Sequence, residues 1–169
     1  MNARDTVLAA IRAAAVPPSP ASPPMTSEAA ANDLLEQFLR VLAEVGGRGI
    51  VRGETQSVED AIDDIRDAGA VASNTEVIVV RGRFAVAENG AVYVDAADLA
   101  QRADIVRAEH LVLTVSREAI VPTMHEAVSL MPRDSACGWF LSGPSKTADI
   151  EQALVIGAQG ARTLHVLIG

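Results

Sequence analysis

The sequence predicts an α/β fold in which a mainly parallel open sheet is flanked by helices. Short runs rich in β-branched residues lie at 76–80, 110–115 and 163–168. Segments with helical spacing lie at 27–45, 57–69 and 122–131. Because strand-like and helix-like segments alternate over most of the 169 residues, parallel strands joined by crossover helices are expected. This length is enough for one domain with a sizeable core.

Composition divides the N-terminal region from the main domain. Val7 and Ile11 recur at helical spacing, so a short amphipathic helix is expected within residues 1–16. Prolines crowd the segment 17–25, and proline lacks a backbone N–H and biases the preceding residue away from helix. This segment is therefore expected to be an extended linker. Residues 26–169 then form a single α/β domain.

The first part of that domain carries clear helix signals. Ser27 is the expected N-cap of a helix with a wide apolar stripe, and glycines follow its end. A short strand is expected at 49–52. Ser57 followed by Asp60 forms a capping-box pattern, which places the start of the next helix at this point.

The middle of the chain predicts a β-hairpin. Residues 84–87 and 91–94 have the composition of strands, and Asn89-Gly90 between them favours a tight hairpin turn. Two interpretations of this turn stay open. It is either purely structural, or it presents Glu88 and Asn89 to a ligand beside a loop that lies later in the chain.

That later loop lies in the stretch most informative for function. An apolar run at 139–141 predicts a strand, a tight loop follows at 142–145, and a helical pattern begins at about Thr147. The first turn of a helix has unpaired backbone N–H groups and the positive end of the helix dipole, and Lys146 adds a full charge. The stretch 142–151 is therefore expected to be an anion-binding strand–loop–helix.

The expected contacts come from the loop and from the first helical turn. Gly143 permits the tight turn, and Ser145 and Thr147 either cap the helix or bind the ligand. Asp149 either contributes to the site or holds the loop through backbone N–H groups. The alternative is an ordinary capped turn. Because ligands of open α/β sheets bind beyond the C-terminal ends of the strands, the loop is expected at that edge.

Sharper catalytic and metal-binding motifs are absent from the sequence. A phosphate-binding P-loop would need glycine where Phe140 and Ser145 stand, and a nucleophile elbow around Ser145 would need glycine in place of Thr147. Metal-ligand spacing is not found among the histidines, which are His110, His125 and His165. No acid–base pair or nucleophile names a reaction.

Composition also argues against several classes of function. The chain has 14 Lys+Arg against 22 Asp+Glu, a net charge of −8, and no basic cluster, so nucleic-acid binding is not expected. The single cysteine, Cys137, can neither close an internal disulfide nor hold an iron–sulfur cluster of its own. No apolar run is long enough for a membrane span, and the start is not a secretory signal, so a cytoplasmic location is expected.

Four short stretches carry a family resemblance. They are AENGA at 87–91, EHLVL at 109–113, IVP at 120–122, and SGPSKTADIE at 142–151 with Leu154, Val155 and Gly157 after it. Together they resemble the LUD-domain family of lactate-utilization protein C. The sequence departs from that family at Gln159, where many members have histidine, and at Ala91, where threonine is common.

The resemblance implies a fold, a function and partners. The implied fold is the α/β arrangement shared by sugar-phosphate isomerases and CoA transferases. The implied function is that of a component of an L-lactate utilization system, which oxidises lactate to pyruvate beside separate iron–sulfur proteins. The alternative is a stand-alone enzyme or binding protein for a phosphorylated or CoA-like ligand. The residues expected to bind a small anionic ligand are Glu88, Asn89, Gly90, Ser142, Gly143, Ser145, Lys146, Thr147, Asp149 and Arg162.

Overall fold

A computed structural model describes residues 3–13, 28–53, 55–69, 71, 75–147 and 154–169. Its α-helices are α1 (Ala3–Ala13), α2 (Glu28–Glu44), α3 (Val58–Asp67), α4 (Asp104–Arg107) and α5 (Met124–Leu130). Its strands are β1 (Arg48–Val51), β2 (Val77–Arg81), β3 (Phe84–Val86), β4 (Ala91–Asp95), β5 (His110–Val115), β6 (Ile120–Val121), β7 (Gly138–Leu141), β8 (Lys146–Thr147), β9 (Val155–Ile156) and β10 (Thr163–Ile168). Short 3-10 turns lie at Ala96–Asp98 and Arg117–Ala119.

The fold is built on a parallel sheet, as the alternating pattern predicts. Its four strands follow the order β1-β10-β5-β2, and every neighbouring pair is parallel. The last strand of the chain is therefore internal, which accounts for its continuous apolar run, because an internal parallel strand is covered on both faces. The prediction of an α/β fold with a mainly parallel sheet and flanking helices is confirmed.

Each face of the parallel sheet packs against a different layer. On one face, Ala61 and Ile65 of α3 pack with Val112 and Leu167 of the sheet. Helix α3 starts where the sequence predicts, because Ser57 and the Asp60 side chain form the reciprocal capping box. The opposite face carries the main core, which is shared with α2 and with a second sheet.

The second sheet contains the predicted hairpin. It has the order β6-β3-β4-β7, with β3 and β7 antiparallel to β4, and β6 parallel to β3. Its outer face carries Phe84, Tyr93 and Phe140, which pack beneath α5. The rings of Phe84 and Tyr93 are stacked, with their centroids 4.9 Å apart. The sequence predicts the hairpin but not its membership of a separate sheet.

Among the N-terminal elements, the predicted helix is present as α1 and the helix after Ser27 as α2. Ser27 itself and the proline-rich segment 17–25 lie outside the described residues. The division into a helix, a linker and a domain at 26–169 therefore stays a prediction.

The prediction of a helix that begins at about Thr147 is wrong for the residues that the structure describes. Lys146 and Thr147 form β8, which pairs antiparallel with Val155 and Ile156 of β9. The Ser145 carbonyl accepts from the Gly157 N–H at 2.8 Å, so the chain returns alongside itself as an extended ladder. Cross-strand pairing overrides helical spacing here, since β-branched Val155 and Ile156 suit a strand at least as well. Residues 148–153 lie outside the described part.

Candidate functional site

Two of the four stretches that carry the family resemblance meet at one place in the fold. The β3–β4 turn at 87–90 and the loop at 142–145 both lie against the last turn of α2. The Ser142 hydroxyl donates to the Asn89 carbonyl at 2.7 Å and joins the two directly. The expectation that the turn lies beside the loop therefore holds for the backbone of Asn89 and the side chain of Ser142.

Two glycines make this contact possible. Gly90 has φ 65° and Gly143 has φ 75°, a region that residues with a Cβ rarely adopt. A Cβ on Gly90 would lie 2.9 Å from the backbone nitrogen and Cα of Leu42, and a Cβ on Gly143 would overlap the Val45 carbonyl oxygen. Both positions therefore require glycine because of both backbone conformation and close approach to α2.

The end of α2 explains the position of Lys146. Gly46 has φ 85°, its N–H donates to Ala43, and the Gly47 N–H donates to Leu42, which is a Schellman ending. This arrangement leaves the Val45 carbonyl free of helical partners, and the Lys146 ammonium donates to it at 2.5 Å. A cation at a helix C-terminus is favourable, because the dipole is negative there. The ammonium predicted to bind a ligand anion is thus held by α2.

Other expected ligand contacts are also used within the protein. The Asn89 side chain accepts from the Ala91 N–H at 3.1 Å, as in an Asx turn. The Glu88 carboxylate accepts from the Met124 N–H at 2.8 Å, at the start of α5. Arg162 pairs with Glu109 at 3.0 Å.

The remaining expected residues divide between the loop and its surroundings. The structure brings together Asn89, Gly90, Ser142, Gly143 and Lys146 at the end of α2. The backbone of Ser145 is hydrogen-bonded to Ala161 and Gly157 instead, Thr147 belongs to β8, and Asp149 lies outside the described residues. The anion-binding prediction needs the first turn of a helix at Thr147. The described residues form a strand there instead.

The loop also lies at the other edge of the parallel sheet from the one predicted. The Ser145 N–H donates to the Ala161 carbonyl at 2.8 Å, just before β10 begins. The loop follows β7, which belongs to the second sheet, so the rule for the C-terminal ends of parallel strands does not govern it. The predicted site is therefore beside the amino end of β10.

A cleft of about 370 Å³ opens behind the loop at this amino edge. Its walls are mostly apolar, and its polar lining groups are Arg102, Ser142, Ser145 and Gln159. A mainly apolar pocket with a few polar groups is the usual form of a small-molecule site. Arg102 brings a positive charge to this cleft, whereas Lys146 is not among its lining residues. The described lining residues include no carboxylate, histidine or cysteine. The arrangement suits binding of a small molecule with an apolar body and one anionic group.

Sequence reasoning missed Arg102 and Trp139 as lining residues. Arg102 precedes α4, a four-residue helix that is too short to show helical periodicity in the sequence. Trp139 lies in the strand that the sequence predicts, but alternation along one strand does not reveal which neighbour it faces. Gln159 was the one sequence signal that could have pointed to the cleft. It departs from the family pattern, and it lies in the run 159–161 that lines the cleft.

Removing the Lys146 ammonium should weaken the end of α2. Lys146→Ala is expected to lower the free energy of unfolding by a few tenths to about 1 kcal/mol, because it removes a hydrogen-bonded cation from a helix C-terminus. Lys146→Arg should recover most of the loss. Urea unfolding at low salt checks this, and equal stability in all three proteins would show that the contact does not support the helix.

The described residues form neither a metal site nor a membrane span. Within the described ranges, no three His, Cys, Asp or Glu side chains form a group that could hold a metal ion. The helices of the described chain are each too short or too polar to cross a membrane.

Comparison with known proteins relates the chain to a family. The family model described as the LUD domain matches residues 29–168. Lactate utilization protein C 1 of Bacillus mycoides (strain KBAB4) is 31% identical over 117 residues, which are 64% of this chain and 48% of that protein. Lactate utilization protein C of Bacillus pumilus (strain SAFR-032) is 33% identical over 98 residues, which are 53% of this chain and 41% of that protein. The matched region is thus less than half of either relative.

A solved structure shares the fold. The crystal structure of a DUF162 family protein from Deinococcus radiodurans superposes with a TM-score of 0.57, covering 86% of this chain and 99% of that chain. Sequence identity is 14%, so the likeness concerns the fold alone.

Proposed function

Because the chain belongs to the LUD domain family, we propose that it is a component of an L-lactate utilization system that oxidises lactate to pyruvate. The observation that carries this proposal is the family match over 29–168, together with two relatives named lactate utilization protein C. The matched stretches include both loops that meet on α2, so the region of likeness contains the candidate site.

The proposed division of labour follows from the chemistry of the chain. Oxidation of lactate to pyruvate releases two electrons, and iron–sulfur centres that could accept them need several thiolate ligands. This chain has a single cysteine, Cys137, which is half-buried and free. Separate iron–sulfur proteins are therefore the proposed partners, in the cytoplasm, and this chain binds the ligand or assembles with them.

The proposed ligand site is the cleft behind the 142–145 loop. Arg102 is exposed at its rim and would pair with the carboxylate of lactate, while the apolar wall that includes Leu141 and Leu164 would contact the methyl end. The Ser145 hydroxyl lies in the same lining and is available to the ligand. Asn89, Gly90 and Gly143 act in this proposal by positioning the loop.

A complementation experiment tests the function. Extracts of cells that lack the gene are assayed for lactate-dependent dye reduction, after rescue with the wild-type chain or with a variant. Deletion should abolish the activity, and the wild-type gene should restore it. An unchanged rate on deletion, with the other components confirmed present, would reject the lactate role.

A pair of arginine variants tests the site separately. Arg102→Gln should restore at most about a tenth of the wild-type rate, because loss of a charge-assisted contact to a carboxylate costs about 1.5 kcal/mol or more. Arg107→Gln is the matched control, since Arg107 is an exposed arginine nearby on α4 and lies outside the cleft lining. If rescue by Arg102→Gln equals rescue by wild type, the cleft is not the lactate site, although the role in lactate utilization would stand.

A further inference from the structure

A second cleft, of about 310 Å³, lies at the opposite edge of the parallel sheet. Its lining includes Arg52, Arg81 and Arg83, together with Thr114 and Ser116. Three arginines in one cleft are notable in a chain of net charge −8. The edge is the one at which the strands end, where ligands of open α/β sheets bind.

The strands themselves place these arginines. Arg52 follows the last residue of β1, and its N–H extends the ladder by donating to Ile168 at 2.8 Å. Arg81 is the last residue of β2, and Gly82 separates it from Arg83. Each guanidinium therefore starts from backbone that is fixed by the sheet.

Gly82 is the joint between the two sheets. Its N–H donates to Thr114 of the parallel sheet at 2.8 Å, while the next N–H, that of Arg83, donates to Tyr93 of the second sheet at 2.9 Å. A Cβ at this position would overlap the Val92 side chain. The chain thus turns tightly here and holds Arg81 and Arg83 at the same cleft.

The three guanidinium groups differ in how far their donors are satisfied. Arg83 pairs with Asp98 at 2.6 Å, which offsets its charge. Arg52 donates one Nη to the Gln56 carbonyl at 2.9 Å, but its Nε is buried and has no hydrogen-bond acceptor among the described residues. Arg81 is exposed, and no described residue forms an ion pair or side-chain hydrogen bond with it. Two guanidinium groups therefore retain unused donors in this cleft, and a buried donor without an acceptor is costly.

The positions of these two arginines constrain the size of a ligand. Arg52 directly follows β1 and Arg81 ends β2, and these are the two outermost strands of the four, three inter-strand steps or roughly 14 Å apart at their axes. Guanidinium groups bind carboxylates and phosphates through paired N–H donors. A ligand that uses both must carry oxyanion groups at its two ends.

We propose that this carboxyl-edge cleft binds a small organic dianion, with one terminal oxyanion group on Arg52 and the other on Arg81. The terminal groups are carboxylates or phosphates, which share this recognition chemistry. The site is separate from the cleft behind the 142–145 loop, and it does not depend on a role in lactate utilization.

Calorimetric titration of the full chain at constant ionic strength tests the proposal. The probes are succinate, with two carboxylates, and 3-phosphoglycerate, with a phosphate and a carboxylate; acetate is the single-ended control. At least one dianion should bind saturably with a Kd of about 1 mM or tighter, and at least tenfold more tightly than acetate. Preference for succinate assigns a dicarboxylate, and preference for 3-phosphoglycerate assigns a phosphorylated acid.

Variants locate the binding. Arg81→Gln should weaken it at least tenfold, and this exposed position at the end of an outer strand should fold normally. Arg52→Lys keeps the positive charge but removes the paired N–H donors of the guanidinium group, so it should also weaken binding. Arg133→Gln, which changes an exposed arginine outside the cleft, should bind as wild type does.

Several results would overturn the proposal. They are the absence of saturable dianion binding, acetate binding as tightly as the dianions, wild-type affinity in Arg81→Gln, or equal weakening in Arg133→Gln. Since the lactate role is read from cell extracts and from Arg102, its failure leaves this titration unaffected.

Discussion

Replacing Gly90 by alanine is expected to lower the free energy of unfolding by about 3 kcal/mol, since two penalties add. The first is the left-handed backbone at φ 65°, which costs a residue with a Cβ about 1–2 kcal/mol. The second is steric, because the new methyl would lie 2.9 Å from the backbone of Leu42, and α2 would have to shift. Helix α2 carries Phe38 and Leu42 into the main core, so its displacement would disturb that packing.

Gly69→Ala is the matched control for this substitution. Gly69 also has a positive φ, of 69°, but a Cβ there would meet no atom of the described residues within 4 Å. Its replacement should therefore cost about 1 kcal/mol, the conformational part alone. Chemical denaturation of both variants measures the difference. If both variants lose the same free energy of unfolding, the contact between Gly90 and α2 adds no penalty, and the turn packs less tightly on the helix than the structure indicates.

Stability should fall by as much as about 3 kcal/mol between pH 6.5 and pH 4 because of His165. Burial, and after it the electrostatic effect of Arg48 and of the neighbouring His110, lowers the pKa of His165 to about 4 from 6.5. In this interval the unfolded chain binds a proton at His165 and the folded chain does not, so acid favours unfolding. Above pH 6.5 the group is neutral in both states, and its contribution to stability is then fully present and independent of pH.

His165→Leu should flatten that part of the pH profile. The His165 Nδ1 is buried without a hydrogen-bond partner among the described residues, so an apolar side chain of similar size sacrifices no bond at that atom. His125→Gln is the control, because His125 is exposed on α5 and should leave the profile as it is in wild type. Urea unfolding is measured at about pH 7, 6, 5 and 4, which spans the titration window. A profile for His165→Leu that runs parallel to wild type would show that His165 is not the group responsible.

The stretches that resemble the LUD domain family have an architectural role that their residue types alone do not reveal. Gly90, Gly143 and Lys146 all contact the last turn of α2, and Ser142 ties the two loops together. These contacts hold one wall of the cleft behind the loop. Substitutions at these residues are therefore expected to change stability first, and ligand binding through the position of the loop.

Local signals predicted most of the elements. The capping box at Ser57, the Asn89-Gly90 turn and the runs of β-branched residues in β2 and β5 each depend on residues that are close in sequence. These local elements therefore do not depend on contacts with distant parts of the chain. The prediction of a helix after Thr147 failed because Val155 fits both a helix face and a strand, and pairing with Thr147 across the β8–β9 ladder decided between them.

The sequence by itself determined the fold class, most helix and strand positions, and the family, because these follow from periodicity, turn chemistry and runs of matching residues. Only the tertiary structure decided what the polar groups do. Lys146 looked free for an anion, but the Val45 carbonyl 101 residues away accepts its hydrogen bond. Arg52 and Arg81 looked dispersed, but the strand order β1-β10-β5-β2 brings their ends to one cleft. A partner distant in sequence leaves no local pattern, so side-chain roles that depend on such partners emerge only when the chain has folded.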